Sequence, residues 1–167
     1  GVELLPVGAV EQHGYHLPLG TDWLLSDYMA REVAKVINAV VAPPIMYAAR
    51  SQIRTGGGPH QCGTVNLDGQ TVIELVKEVI KEIARHGATK IALIDSHYEN
   101  RFFLDEACYQ ALRDLKLAES NSIKIVKMQF AEGLTDATRA KAYEGSPFPG
   151  RHLEHGGVYE TALMIHA

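Results

Sequence analysis

The sequence predicts an α/β fold, a three-layer α/β/α arrangement around a mostly parallel sheet. Short apolar runs typical of buried strands alternate along the chain with longer segments that have the apolar spacing of helices. Strands that alternate with helices are joined by crossovers, which favour parallel pairing and cover both faces of the sheet. A chain of 167 residues has the length of one domain.

The predicted elements follow one another in a regular order. Strands are expected where short apolar runs are bounded by turn residues, at 4–10, 40–45, 90–95 and 123–130. Helices are expected where apolar residues recur every three or four positions, at 23–37, 70–86, 102–116 and 159–167. Gly87 follows the second helix at the position of a C-terminal stop, and Asn100 is predicted to cap the third helix.

Two stretches are predicted to be loops. Residues 46–68 are rich in glycine, and a loop of that length in a compact domain is usually functional. Its run Gly56-Gly57-Gly58 lacks the Gly-Lys-Ser/Thr ending of a phosphate loop. We therefore expect these glycines to let the backbone pass close to a ligand or a metal. A second loop, which contains Pro147, Pro149 and Gly150, precedes the last helix.

The composition argues against several classes of protein. The net charge is -4 and no block of like charge occurs, so we expect no nucleic-acid partner. No apolar stretch reaches the roughly 18 residues of a membrane span, and no charged-then-apolar leader is present, so we expect no membrane partner. Cys62 and Cys108 are isolated, which argues against a disulfide framework and favours a cytoplasmic location.

Two short polar clusters carry the chemical signal. Glu11-Gln12-His13 follows the first predicted strand, and His97-Tyr98-Glu99 follows the third. The carboxyl ends of parallel strands form one edge of a sheet, and ligands bind there in such folds. Asp22 precedes the first predicted helix. Two histidines and three carboxylates suit a pair of divalent cations, Zn or Mn, bridged by a carboxylate and able to make water nucleophilic at neutral pH.

Each of these features also has a purely structural interpretation. The first cluster suits a solvated turn, Asp22 suits a helix cap, and the second cluster suits a hydrogen-bonded loop. Glu154-His155, with Glu160, suits either a capping cluster or an acid–base pair that serves a leaving group. The repetition of the acid–histidine pairing after a second strand is what favours the metal site.

These residues resemble the creatininase (creatinine amidohydrolase) family. Matching stretches cover nearly the whole chain in the same order and with closely similar spacing: 5–14, 16–22, 51–58, 63–64 with 67–69, 84–88, 96–100 and 154–161. The form His97-Tyr98-Glu99-Asn100 is similar to the creatininase branch of the family. The resemblance implies one creatininase-like domain over 1–167, with the family's first segment and its C-terminal part outside this sequence.

The resemblance also implies roles for individual residues. One cation is held by Glu11, Asp22 and His97, and the other by His13, Asp22 and Glu99, so that Asp22 bridges them. Three residues are implied to be catalytic: His155 as proton shuttle, Glu160 as the group that orients the substrate or His155, and Glu99. Three residues are implied to bind substrate: Thr55, Tyr98 and Arg151. The implied protein is a metal-dependent hydrolase of a cyclic amide or another non-peptide C–N bond, assembled as a cytoplasmic homohexamer.

The chain departs from the family pattern at the substrate pocket. Creatininase lines its pocket with two tryptophans, and the corresponding positions here hold Ala131 and Arg151. A flat creatinine ring would lose its aromatic walls, and Arg151 favours a more polar or anionic substrate. Hydrolysis of a formamide, a peptide-derived precursor or a cyclic keto-polyol is therefore an alternative, and a non-catalytic metal-binding protein is a third.

Overall fold

Four parallel strands form the sheet on which the molecule is built. The computed structural model describes residues 1–117, 123–144, 146–148, 150 and 154–167. The strands are β1 (Val2–Val7), β2 (Val40–Val41), β3 (Ala48–Ala49), β4 (Asn66–Leu67), β5 (Lys90–Asp95) and β6 (Lys124–Gln129). The main sheet has the order β2-β1-β5-β6, and every neighbouring pair in it is parallel. Strands β3 and β4 pair separately, also in parallel.

Helices cover both faces of the main sheet. They are α1 (Thr21–Ile37), α2 (Gly69–Arg85), α3 (Arg101–Leu117), α4 (Asp136–Ala142) and α5 (Val158–His166). Because successive strand residues point to opposite faces, Leu4 and Ile94 pack against α1, whereas Leu5 and Leu93 pack against α2 and α3. The predicted α/β/α arrangement is therefore confirmed. No helix in the described residues has both the length and the apolar character that crossing a bilayer requires.

Helix α2 shows how the sequence sets this packing. Val72, Val76 and Ile80 are four residues apart, lie on one face of the helix, and are at most 1 % exposed. Burying each of these side chains contributes roughly 1.5–3 kcal/mol. The strong apolar period predicted the helix because the same residues fill the core.

The connections between the strands place a crevice between β1 and β5. From β1 the chain passes through α1 to β2 on one side, whereas β5 lies on the other side of β1. In parallel sheets, ligands bind beyond the carboxyl ends of the strands at such a switch in direction. The two acid–histidine clusters follow β1 and β5 directly, so both reach this crevice.

Four segments differ from the prediction. The first strand, expected at 4–10, is found at Val2–Val7. The expected loop 46–68 contains β3, β4 and a 3₁₀ turn at Ile53–Thr55. The expected loop before the last helix contains α4, which begins where the Thr135 side chain accepts a hydrogen bond from the N–H of Thr138. The second strand, expected at 40–45, is shortened to Val40–Val41, since the prolines that follow cannot donate to a ladder, and the chain rejoins β1 at the bridge between Ile45 and Val7.

Candidate metal centre

Five side chains from separate parts of the sequence converge at the crevice. Glu11, His13, Asp22 and His97 are at most 2 % exposed, and the side chain of Glu99 is 10 % exposed. Asp22 lies between the two histidines, with Oδ1 3.2 Å from His13 Nε2 and Oδ2 3.1 Å from His97 Nδ1. Glu11 Oε2 is 2.9 Å from His97 Nδ1. This burial excludes the solvated turn as an explanation of the first cluster.

The beginning of α1 brings Asp22 to the crevice. The helix begins at Thr21 with Gly20 at the N-cap position, and no side chain caps it. Asp22 therefore lies in the first turn, where a negative charge also interacts favourably with the helix dipole. The interpretation of Asp22 as a helix cap is wrong, because both of its carboxylate oxygens face histidines instead.

Three histidines at the crevice are oriented by the backbone. Each uses one ring nitrogen on a carbonyl oxygen at 2.6–3.0 Å: His13 Nδ1 on Glu11, His97 Nε2 on Ala49, and His155 Nε2 on Gln12. Because a carbonyl only accepts, these nitrogens carry the hydrogen, and the second nitrogen of each ring faces the carboxylates. Metal-binding histidines in proteins are held in this way by their other ring nitrogen.

Burial and nearby opposite charges shift the pKa values of His13, Asp22 and His97 in opposite directions. Burial alone would lower the pKa of His97, but hydrogen bonds and attraction from Asp22 and Glu11 raise it well above its ordinary value. Burial would likewise lower the pKa of His13, yet Asp22 and Glu160 raise it to about 9. Burial would raise the pKa of Asp22, and the two imidazoles hold it below its ordinary value. The charged form of the Asp22 carboxylate, which is the form that binds a cation, is therefore favoured.

The spacing of the donor atoms suits cations of the size of zinc. Two ligand atoms that each lie about 2.0–2.2 Å from a tetrahedral ion are about 3.4 Å apart. The separations between carboxylate oxygens and the ring nitrogens that face them, His13 Nε2 and His97 Nδ1, range from 2.9 to 3.7 Å. The donor atoms form two groups, one of Glu11, His97 and Glu99, and the other of His13, His155 and Glu160. Asp22 contacts a histidine of each group, and the mixed nitrogen and carboxylate donors favour Zn or Mn.

The two groups divide the predicted residues differently from the family resemblance. Glu99 falls in the group of His97, with its Oε2 3.6 Å from Nε2, the nitrogen that donates to Ala49, whereas the resemblance assigns Glu99 to the ion on His13. His155 and Glu160, predicted to handle protons and orientation, lie beside His13. The assignment of Glu99 to the second ion stays a prediction.

The glycine-rich loop fixes the position of Glu11. Ser51 Oγ donates to Glu11 Oε1 at 2.6 Å and accepts from the N–H of Gly58 at 2.6 Å. Gly57 is so close that a Cβ atom there would lie 2.0 Å from Glu11 Oε1. Gly57 therefore allows the backbone to pass close to Glu11, and the close approach of these glycines to a ligand or a metal stays a prediction. Sequence reasoning missed Ser51, because its contact with Glu11 joins residues that are 40 positions apart.

Asn100 positions His97 and does not cap α3, contrary to the prediction. Its side chain is fully buried, and its Oδ1 accepts from the N–H of Ala49 at 3.0 Å. Ala49 also supplies the carbonyl that orients the His97 ring. The Asn100 amide donates to Asp95 Oδ1 at 2.9 Å, and Asp95 in turn accepts from the N–H of His97 at 3.1 Å. Asn100 therefore holds both groups that position His97: Ala49, which bonds to its ring, and Asp95, which bonds to its backbone N–H.

Replacing Asn100 with aspartate is expected to destabilise the fold and to weaken metal binding. The change places a buried carboxylate against Asp95, where the amide now donates at 2.9 Å. A buried charge without a partner costs about 3–5 kcal/mol, and disturbed support of a ligand typically lowers metal affinity about 10–100-fold. Thermal unfolding and zinc affinity, measured by competition with a chelator, test this expectation.

A matched control uses the same chemical change on the surface. Asn38 is exposed and lies in the left-handed region at the end of α1, which aspartate also tolerates. Asn38→Asp should change the free energy of unfolding by less than about 1 kcal/mol. Equal unfolding and equal zinc affinity in both variants would show that Asn100 does not support His97.

A cavity opens beside the candidate metal ligands. Among the residues that line it are predicted ligands and neighbours of the metals: Asp22, His97, Glu99, His155 and Glu160. Thr55 and Tyr98, predicted to bind substrate, also line it, and the Thr55 hydroxyl contacts the Glu99 carboxylate. Ala131 also lines the cavity. So do Leu134 and Phe148, which were not predicted from the sequence to lie at the site. The predicted substrate residue Arg151 lies outside the described residues.

Two carboxylates, those of Glu154 and Glu160, bond to the backbone where α5 begins. Glu154 Oε1 accepts from the N–H of Tyr159 at 2.9 Å, and Glu160 Oε2 accepts from the N–H of Gly156 at 2.6 Å. The capping interpretation of these two residues is therefore confirmed. Burial raises the pKa of Glu160 to about 8. Both residues also line the cavity, so capping does not exclude a role there.

His155 lies against the candidate ligands His13 and Glu11. Its ring stacks on that of His13 with a centroid separation of 4.2 Å, and its Nδ1 is 3.5 Å from Glu11 Oε1. Its Nε2 donates to the carbonyl of Gln12, so Nδ1 is the nitrogen that faces Glu11. This position suits either a metal ligand or a proton donor beside the metals.

Comparison with known proteins supports the family resemblance. A family model described as creatinine amidohydrolase matches residues 1–167. The creatinine amidohydrolase of Pseudomonas putida is 41 % identical over 164 residues, which cover 98 % of this chain and 63 % of that protein. The 3-dehydro-scyllo-inosose hydrolase of Thermotoga maritima is 28 % identical over 164 residues, 98 % of this chain and 46 % of that protein. The chain thus spans less than two thirds of the length of these relatives.

Solved structures agree with the fold. A mutant creatininase of the Zn-Zn type superposes with a TM-score of 0.94 at 41 % identity, covering 98 % of this chain and 64 % of the other. A manganese form of creatininase gives a TM-score of 0.94 at 42 % identity, with coverage of 98 % and 64 %. Both kinds of cation expected from the donor atoms therefore occur in proteins of very similar fold.

Proposed function

This chain belongs to the creatininase family, and we propose that it is part of a metal-dependent hydrolase that cleaves a C–N bond of a small cyclic amide, creatinine or a close relative. The observation that carries the proposal is the position of Asp22, whose two oxygens face His13 and His97 separately at 3.2 and 3.1 Å. One carboxylate placed in this way can hold two neighbouring cations. Such a pair of ions is suited to hydrolysis, because it acts on the carbonyl and on water together.

The residues present fit two ions, Zn or Mn. Glu11, Asp22 and His97 would hold the first. His13 and Asp22 would hold the second, with Glu99 as the further ligand that the family resemblance implies. When bound, the two cations polarise the substrate carbonyl and lower the pKa of a water from about 15.7 to about 7.

The other residues of the cavity handle the substrate and the proton. The water oxygen bonds to the carbonyl carbon and the C–N bond breaks, while the proton that the water loses passes through Nδ1 of His155 to the leaving nitrogen. Nδ1 is the nitrogen of this ring that does not donate to the carbonyl of Gln12. Thr55 and Tyr98 line the cavity and would contact the substrate, and Glu160 keeps the beginning of α5 in place beside His13.

A second candidate keeps the same centre and changes the substrate. Ala131 lines the cavity where the family resemblance expects a tryptophan, which leaves more room and less aromatic surface. A similar chain in Thermotoga maritima is a 3-dehydro-scyllo-inosose hydrolase. Hydrolysis of a cyclic keto-polyol or of a formamide is therefore the alternative to creatinine, and a non-catalytic metal-binding homologue is a further one.

Removing the metal tests the proposal. The purified full-length protein is expected to contain two ions per chain, to lose hydrolysis of creatinine, hydantoins or formamides after chelation, and to regain it with Zn or Mn. A ligand at 100 times its Kd stabilises a folded protein by about 2.7 kcal/mol, so the melting temperature should also rise on reloading. Hydrolysis that survives complete metal removal contradicts the mechanism. Two bound ions without hydrolysis of any compound favour the non-catalytic homologue.

Assembly and location stay predictions of the family resemblance. It predicts a cytoplasmic homohexamer whose partner is a small molecule, without nucleic acid or membrane. Sedimentation velocity of the full-length protein distinguishes a hexamer from a monomer or a dimer.

A further inference from the structure

Two buried hydroxyls join the beginning of α1 to the ends of β1 and β5. Ser26, on α1, is fully buried, and Ser96, which directly follows β5, is 6 % exposed. Their Oγ atoms lie 2.6 Å apart. Ser26 Oγ also lies 2.6 Å from the carbonyl oxygen of Val7, and Ser96 Oγ contacts the carbonyl oxygen of Asp22. The pair therefore connects three segments that are far apart in the sequence.

The two hydroxyl hydrogens have two possible arrangements. In one, Ser96 donates to Ser26, and Ser26 donates to the carbonyl of Val7. In the other, Ser26 donates to Ser96, and Ser96 donates to the carbonyl of Asp22. Both arrangements bond α1 to the chain just after β5, so the link depends on the two hydroxyls together. A buried hydroxyl costs free energy unless it is hydrogen-bonded, and the pairing avoids that cost.

The backbone after β1 is in direct contact with the first turn of α1 beside this pair. A Cβ atom on Gly8 would lie 2.2 Å from the backbone nitrogen of Trp23 and 2.6 Å from the carbonyl carbon of Asp22. Only glycine fits at such a distance. The N-cap residue of α1 is Gly20, which has no side chain with which to hold the helix. The close contact at Gly8 and the two hydroxyls therefore fix the position of the first turn.

The same link lies next to the candidate metal ligands. Ser96 directly precedes His97, whose Nδ1 is 3.1 Å from Asp22 Oδ2. Ser26 lies four residues after Asp22, and thus on the same side of α1. The two hydroxyls bond to each other and to backbone carbonyls, so they act on the ligands through the backbone. Removing either hydroxyl leaves all five predicted ligands and their charges in place.

We propose that Ser26 and Ser96 are positioning residues that hold the bridging carboxylate of Asp22 at the correct distance from the ligands after β5. This inference rests on the proposed function, because it concerns the two ions that the hydrolase would hold. Each ion needs its donor atoms at about 2.0–2.2 Å, so a small shift of α1 moves Asp22 out of reach of one ion. A hydroxyl link between helix and strand keeps the carboxylate matched to both ions.

Stepwise binding of zinc to the metal-free full-length protein tests the proposal without any need for turnover. Ser96→Val and Ser96→Thr introduce side chains of nearly the same shape, but only threonine keeps a hydroxyl. We expect Ser96→Val to bind the second zinc ion at least about 10-fold more weakly than the unsubstituted protein, as is typical when the support of a ligand is disturbed. Ser96→Thr should keep most of the affinity, which separates loss of the hydroxyl from a change in packing.

The two hydroxyls should behave as one unit. Ser26→Ala removes the other hydroxyl without adding volume, and should weaken binding of the second zinc ion to a similar extent. It also provides the test should the variants of Ser96 not fold. Because the two residues share one bond, the double variant Ser26→Ala with Ser96→Val should lose no more affinity than the weaker of its single variants.

The manganese form provides a readout that a general loss of stability does not change. Two manganese ions that share a carboxylate are magnetically coupled, and electron paramagnetic resonance detects that coupling. Ser96→Val, with both ions bound, should show an altered coupling, whereas Ser96→Thr should keep the unsubstituted spectrum. Ile80→Val is the control, because Ile80 is fully buried on α2, on the other face of the sheet from α1. It destabilises the core and should keep both ions and their coupling.

The outcomes separate this inference from the proposed function. Unchanged zinc affinity and unchanged coupling in Ser96→Val and Ser26→Ala overturn the positioning role even where a cyclic amide is hydrolysed. Losses that Ser96→Thr shares, or that simply add in the double variant, also overturn it. Losses that depend on the shared hydroxyls support the role even where no amide is hydrolysed, in which case only the proposed function fails. An unsubstituted protein that binds only one ion overturns both.

Discussion

Replacing Asp22 with alanine is expected to remove both cations from the protein and to abolish hydrolysis. Asp22 is 2 % exposed, and its oxygens are the nearest carboxylate atoms to His13 on one side and within 3.1 Å of His97 on the other. Without it, each ion loses a charged ligand at the same time, and two imidazoles lose the charge that they face. We expect hydrolysis to fall at least about 10³-fold, because water then returns toward its ordinary pKa of about 15.7.

Metal analysis of the purified variant, together with the hydrolysis rate on the best substrate of the panel, measures this effect. Asp27→Ala serves as the control, because Asp27 lies on the same helix and pairs with exposed Arg31 at 2.7 Å. An exposed pair of this kind contributes about 1 kcal/mol or less, so that variant should keep both ions and its rate. Retention of two ions by the Asp22 variant would exclude a shared bridging carboxylate.

Replacing His155 with alanine is expected to slow hydrolysis while both ions stay bound. The ring stacks on that of His13 at a centroid separation of 4.2 Å, and Nδ1 is the nitrogen that does not bond to the Gln12 carbonyl. Loss of a general acid typically costs about 10²–10⁴-fold in rate. The loss should appear mainly in kcat, and it should shrink for substrates whose leaving nitrogen needs less protonation.

Zinc content decides between the two roles that the position of His155 allows. His155 belongs to one of the two donor groups, with His13 and Glu160, and a ligand role would make the alanine variant lose an ion. His166→Ala is a suitable control, since His166 lies at the exposed end of α5. A variant of His155 that holds one ion would reassign this residue from proton transfer to metal binding.

Those features of the fold that depend on local periodicity could be predicted from the sequence. Helix α2 was predicted at 70–86 and is found at Gly69–Arg85, since residues such as Val76 both make the pattern and fill the core. Strand β5 was predicted at the residues where it occurs. Helix α4 could not be predicted, because it has no buried residue among its seven and therefore no apolar period. Strands β3 and β4 are two residues each, too short to give a pattern.

In the candidate site, too, residues with a local sequence pattern could be predicted and residues without one could not. Glu11, His13, Asp22, His97 and Glu99 were predicted because acidic and imidazole groups recur after strands. Ser51 and Asn100 support these ligands but were missed or misassigned, because their partners lie far away along the chain. A serine or an asparagine has many ordinary uses in loops, and only the folded structure shows which backbone groups each one holds.

The register between β1 and β5 has a consequence for how the protein acquires its metals. Val7 and Asp95 are paired across the two strands, and the ligand clusters follow directly after them. A slip of one residue would turn alternate side chains to the wrong face and separate the clusters. The two strands must therefore pair in the correct register before either ion can bind all of its ligands. We expect metal binding to follow the formation of the sheet and to stabilise it, and not to initiate folding.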